Sequence, residues 1–120
     1  MTISFEDVYQ RLIGWGYKVT KEPMEQMPPG LIELRYDMDF EPEDVAMTSY
    51  KVVHMVVIRW TEAVPDTIAG SVILLMRRLG AAYDAQPHFE IAKPRLTRGN
   101  GTMYEVSMTV LWVQWLTINQ

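Results

Sequence analysis

An α+β fold, with a mixed and mainly antiparallel β-sheet packed against two helices and a long C-terminal β-hairpin, follows from three patterns in the sequence. Apolar residues recur at helical spacing in two segments, polar and apolar residues alternate strictly in a third, and two β-rich runs flank Gly99-Asn100-Gly101. The length of 120 residues, with 48% hydrophobic and 22% charged content, fits a single domain spanning 1–120 with its own core.

The first helix is expected over residues 5–14. Ser4 followed by Asp7 has the form of a capping box, Phe5, Val8, Tyr9, Leu12 and Ile13 make one apolar stripe, and Gly14 and Gly16 end it. A short strand is expected over 17–22, then a turn at Pro28-Pro29-Gly30. Over 32–40, Ile32, Leu34, Tyr36, Met38 and Phe40 alternate with Glu33, Arg35, Asp37 and Asp39, which predicts a strand with one dry face and one wet, mostly acidic face. Residues 41–49 read as an acidic loop. The run YKVVHMVVIRW is apolar on both faces and predicts a central strand. The second helix starts at Pro65 and Asp66, buries Ile68, Val72, Leu75, Met76 and Leu79, and is expected to stop at Gly80. Asn-Gly supplies the positive φ of a tight hairpin turn. The strand after it extends for about 15 residues, roughly 50 Å, and is expected to project beyond the core as an arm.

The absence of cysteine excludes disulfides, thiolate metal sites and thiol nucleophiles. The N-terminal MTISFEDVYQRL lacks the features of a signal peptide, and the longest apolar runs, 52–58 and 68–76, are too short to span a bilayer, so a cytoplasmic setting without membrane contact is expected. A net charge of −4 argues against nucleic-acid binding as the main activity. The charge is uneven: residues 33–44 carry net −5 and residues 77–98 carry net +3.

No pattern of a catalytic, cofactor or metal site emerges. His54 lies in phase with Val52, Val56 and Ile58 and reads as a sheet histidine, while His88 follows Pro87 without a motif around it. The carboxylates between 33 and 44 lack EF-hand spacing and read as a solvated face. The Gly-x-Gly pairs at 14/16 and 99/101 read as a helix stop and a hairpin turn. Arg77 and Arg78 suit the negative end of the second helix. Tyr104, Trp112 and Trp115 read either as core or as the anchors of a subunit interface.

The segments SFEDVYQRLIGWG, GLIELRYDMDF, YKVVHMVVIRW, PDTIAGSVILLMRRLGA and TMYEVSMTVLWVQW, in this order and over nearly the whole chain, resemble the tail terminator or tail-completion proteins of long-tailed bacteriophages. The resemblance lies in element order and size, without a diagnostic motif. It implies a non-enzymatic virion protein of the tail and neck, assembled in the host cytoplasm. It also implies a homohexameric ring that ends the tail tube, joins it to the head-side connector, and lets DNA pass without specific binding. A ring needs two different complementary patches. Glu33, Asp37, Asp39, Glu41, Glu43 and Asp44 on one side, and Arg77, Arg78, Arg95 and Arg98 on the other, are the expected pair, with Trp112 and Trp115 as apolar anchors. Two other readings stay open: another neck component such as a head-closure or adaptor protein, and a small ferredoxin-like enzyme or ligand-binding module. The latter would use His54 and Tyr50 in a pocket between the sheet and the second helix.

Overall fold

The computed structural model describes residues 3–98 and 103–118. Along the chain run α1 (Phe5–Gly14), β1 (Lys18–Thr20), β2 (Leu31–Pro42), β3 (Ser49–Glu62), α2 (Pro65–Ala82), β4 (Glu90–Ile91), β5 (Arg95–Arg98) and β6 (Tyr104–Thr117). The strands form one sheet in the order β1-β2-β3-β6-β4, with β5 also on β6. All pairs are antiparallel except β1 with β2. The fold is α+β, as expected, with the C-terminal hairpin formed by β4, β5 and β6. The Asn-Gly turn of that hairpin lies outside the described residues.

Local chemistry explains the helix ends. At α1, Ser4 Oγ accepts a hydrogen bond from the Asp7 amide at 3.0 Å, satisfying a donor that the first turn leaves free. Its other end closes where Gly16 takes φ +95, and the Gly16 and Tyr17 amides donate back to the carbonyls of Ile13 and Leu12. A Cβ at Gly16 would be strained by that φ. Pro65 opens α2 as expected, but Gly80 does not close it: the helix continues to Ala82. The cost of an internal glycine, about 1 kcal/mol, is outweighed because the extra turn delivers Tyr83 into the core. There the Tyr83 hydroxyl donates to Asp7 Oδ2 at 2.6 Å, tying the end of α2 to the start of α1. Burial, and then the Asp7 carboxylate, push the Tyr83 pKa far above its ordinary value.

The core lies between the helices and one face of the sheet. Val8 and Leu12 of α1 and Ile68, Leu75 and Leu79 of α2 pack with Ile32, Leu34, Val56, Ile58, Met108 and Val110. Among the described residues the opposite face carries no helix. The 14-residue strands β3 and β6 are in register over their whole length, from Ser49↔Thr117 to Glu62↔Tyr104. Between Ile91↔Val110 and Arg95↔Ser107 the outer strand has one residue more than β6. This bulge, with Pro94 inside it, divides β4 from β5.

The projecting arm differs from the one expected. The partner strands of the C-terminal hairpin are short, and the long partner of β6 is β3. What extends past the helices is a three-stranded arm made of the C-terminal halves of β2 and β6 and the N-terminal half of β3. The molecule measures 54 × 28 × 22 Å.

Leu79 is fully buried whereas Leu74, on the same helix, is 46% exposed. Leu79→Ala should therefore lose about 2–5 kcal/mol of unfolding free energy in denaturant titrations, and Leu74→Ala about 0.5 kcal/mol or less. Equal losses would place α2 differently on the sheet.

Candidate subunit interface

Three levels of the sheet, from the helix-covered end to the open end, hold the residues expected to carry function. At the lowest level Glu33 faces the helix-free side, as the alternation requires, yet it is only 3% exposed. The segment between β1 and β2 folds over it: Glu33 Oε2 accepts from the Met24 amide at 2.7 Å and from Arg59 Nη2 at 2.9 Å. Arg59 also donates to the Met24 carbonyl at 2.8 Å and to Glu105 at 3.1 Å. Burial opposes the Arg59 charge, and the bonds to Glu33 and Glu105 outweigh it, raising its pKa. Glu33 is thus engaged within the chain and is not part of an exposed acidic row.

At the middle level an aromatic ladder crosses the sheet. Phe5 stacks on Tyr36 at 5.2 Å between ring centroids, and His54 stacks on Trp112 at 5.0 Å with planes 5° apart. The Tyr36 hydroxyl donates to His54 Nδ1 at 2.5 Å, and His54 Nε2 donates to Gln114 Oε1 at 2.9 Å. Both ring nitrogens of His54 are thus occupied. Burial raises the Tyr36 pKa, which keeps its hydroxyl protonated as that donor. Trp112 is buried at 4% exposure and belongs to the core rather than to an outer surface.

The upper level lies beyond the helices. The same pleat that buries Ile32 and Leu34 leaves Met38 45% and Phe40 61% exposed, and Trp115, Leu116 and Ile118 are exposed at the end of β6, across β3. Asp37, Asp39 and Glu41 alternate with them on the helix-free face and are exposed. Glu41 sits 3.9 Å from Lys51, while among the described residues no ion pair involves Asp37 or Asp39. The 43–48 turn closes this end. Asp44 accepts from the Thr48 and Ser49 amides at 2.8 and 3.3 Å and from the Thr48 hydroxyl, so it shapes the turn. The exposed Glu43 contributes its backbone amide to the Ser49 carbonyl.

The basic residues lie elsewhere. Arg95 is opposite Ser107, at the level of Arg59 and Glu33, and Arg98 is opposite Tyr104. Arg77 is exposed on α2, and Arg78 donates to the Tyr17 hydroxyl at 3.0 Å. The structure therefore brings Asp37, Asp39, Glu41 and Trp115 together at the open end, and places Arg77, Arg78, Arg95 and Arg98 on other elements. Ile73 and Leu74, also exposed on α2, escaped the sequence reading. Their signal is an apolar stripe wider than one sheet-facing side needs.

Of the clefts along the sheet, two bear on the expected ligand-binding residues. One, of about 370 Å³, lies between α2 and the sheet and is lined by Tyr17, Ile32, Trp60, Leu75 and Arg78. Neither His54 nor Tyr50 lines it, contrary to the expectation for a ligand-binding module. His54 borders a second cleft of about 550 Å³ with Phe5, Tyr36, Gln86, Trp112 and Gln114. Among the described residues no group of three or more His, Cys, Asp or Glu is placed to hold a metal ion, and no helix is long and apolar enough to cross a membrane.

Arg59→Ala would strand the buried Glu33 carboxylate and should cost about 3–5 kcal/mol, measured by chemical denaturation. The double variant Glu33→Met/Arg59→Met should recover most of that loss. A double variant as unstable as the single one would mean that the pair is not what clips the 22–30 segment to the sheet. Asp44 offers a pH test. Its carboxyl is held below the usual aspartate range, first by the Thr48 hydroxyl, so its contribution to the turn is present above the unfolded pKa and is lost as pH falls through the lowered folded value. The Thr48 and Ser49 amide resonances should titrate together with a midpoint below that of a free aspartate; a midpoint at the ordinary value would contradict the turn geometry. No protein-family model matches this chain and no curated protein matches its sequence, so a functional reading rests on its own residues.

Proposed function

We propose that the protein is a structural component of a tailed-phage virion: a homo-oligomeric ring, hexameric by resemblance, that terminates the tail tube and joins it to the head-side connector. The observation that carries this reading is the three-stranded arm, which leaves the helix-covered core with Met38, Phe40 and Leu116 exposed on one face, Trp115 exposed on the other and Ile118 exposed at its end. An apolar surface with aromatic and methionine anchors and a polar rim is the composition of a protein–protein contact. A monomer in water gains nothing from keeping it bare. The helix-free face, carrying Asp37, Asp39 and Glu41, suits the inner wall of such a ring, because carboxylates repel phosphates and let DNA slide. On this reading the protein performs no catalysis, binds no cofactor, and resides in the virion neck after assembly in the host cytoplasm. A different neck component, a head-closure or adaptor protein, would use the same arm on a different partner.

The test is assembly. Native mass spectrometry and negative-stain microscopy of the purified chain, alone and mixed with isolated tail tubes, should give a single closed ring size, seated at one end of the tubes. A protein that stays monomeric in both conditions would overturn the proposal. A ligand-binding module is the second reading, favoured by the apolar cleft between α2 and the sheet. It would instead show a small-molecule shift in melting temperature.

A further inference from the structure

The two sides of the arm end in open sheet edges. β1 pairs with β2 only at Leu31, Ile32 and Glu33, so among the described residues β2 has no strand neighbour on that side from Leu34 onward. On the far side β4 reaches β6 only as far as Leu111, and beyond it the described backbone of β6 pairs with β3 alone, apart from the bond of the Ile118 amide to Thr48. The turn carrying His88 passes nearby, its ring edge-on to Trp115, but makes no backbone hydrogen bond to β6. Unpaired N–H and C=O rows of this kind are templates for another strand.

Geometry limits which strand can be added. β2 and β6 are both antiparallel to β3, so they run in the same direction. Their open stretches also lie at the same end: Phe40 is level with Val52 and Gln114, and Pro42 is level with Tyr50 and Leu116. A rotation about an axis roughly along the strands preserves both direction and height. It would carry β2 of one copy beside β6 of the next as a parallel pair, with no rise from copy to copy, which is the condition for a ring rather than a filament. A two-fold axis would instead pair β2 with β2 or β6 with β6, antiparallel.

Charge separates these cases. Pairing β2 with a second β2 would bring together two rows of Asp37, Asp39 and Glu41, and like charges across a strand pair destabilise it. The open stretch of β6, Trp112 to Thr117, carries no charge at all. The acidic row therefore blocks self-pairing of β2 and leaves the neutral β6 edge as its acceptor.

We infer that copies of this chain join by strand addition, the open edge of β2 pairing in parallel with the open edge of β6 of the next copy, so that one sheet runs unbroken around the ring. This rests on the ring reading and specifies its interface. It also differs from the acidic-to-basic contact that the sequence suggested. Phe40 would then lie beside Gln114 and Leu116 of the neighbour, on the helix-covered side of the sheet.

Disulfide trapping tests it, helped by the absence of native cysteine. Within one chain Phe40 and Gln114 are separated by β3, two strand spacings or about 9.6 Å, too far for a disulfide. In purified full-length protein, Phe40→Cys combined with Gln114→Cys or with Leu116→Cys should give, on oxidation, a reducible ladder of covalent oligomers that stops at the ring size. An equimolar mixture of the single-cysteine variants should stop at dimers, and each variant oxidised alone should stay monomeric on denaturing gels. Efficient dimers from Phe40→Cys alone, or from either β6 variant alone, would mean two-fold pairing and overturn the inference. Rings seen by native mass spectrometry without cross-links in either double variant would overturn the strand addition while leaving the ring intact. Monomers throughout, alone and with tubes, would remove both.

Discussion

The pairing of β3 with β6 is the constraint from which the rest of this molecule follows. Two 14-residue strands in continuous register extend about 46 Å at about 3.3 Å per residue. The longer helix, α2, has 18 residues and covers about 27 Å at 1.5 Å per residue. Two helices of this size cannot cover the face of a sheet so long. One half becomes a conventional core and the other half remains an uncovered arm, although the same alternation of side chains runs through both.

Different forces organise the two halves. In the covered half apolar burial dominates, and two charged clusters inside it are hydrogen-bonded, although Arg59 Nε and Thr61 Oγ1 are buried without a partner among the described residues. Asp7 holds Tyr83 and Arg11 at the junction of the helices, while Glu33 and Arg59 fasten the 22–30 segment across the helix-free face. Such a buried pair contributes modestly to net stability, since desolvation offsets much of the attraction, but its geometry admits one placement of the segment. The ladder of Phe5, Tyr36, His54 and Trp112 marks the boundary. Above it, Asp44 shapes the closing turn, and no large apolar side chain on β2 finds cover.

An uncovered sheet is a hazard as well as an opportunity. Its edges invite pairing with any exposed strand, and single-sign charge along one edge is a common safeguard. Asp37, Asp39 and Glu41 provide it here. In the proposed strand addition, the same charges that keep β2 apart from its own copy make the neutral end of β6 the favourable neighbour. In that proposal protection and specificity come from one row of side chains, and the helices, confined to one face, would leave the other free to form a continuous wall.

Much of this could be read from the chain alone. Period and capping chemistry defined α1, the start of α2 and the alternating strand, because these depend on neighbours within a few residues. The two-sided apolar character of 50–60 placed β3 at the centre of the sheet. Tertiary structure alone decided the rest. Gly80 fails to end α2 because Tyr83, a turn later, finds a place in the core. Glu33 and Asp37 share one face of one strand, yet the segment between β1 and β2 folds back over the first and leaves the second in water. Trp112 is core and Trp115 is surface for a similar reason: alternation sends them to opposite pleats or levels but cannot say where the covering helices stop. Local patterns specify direction and face, whereas coverage depends on the lengths of elements that meet only in the folded chain.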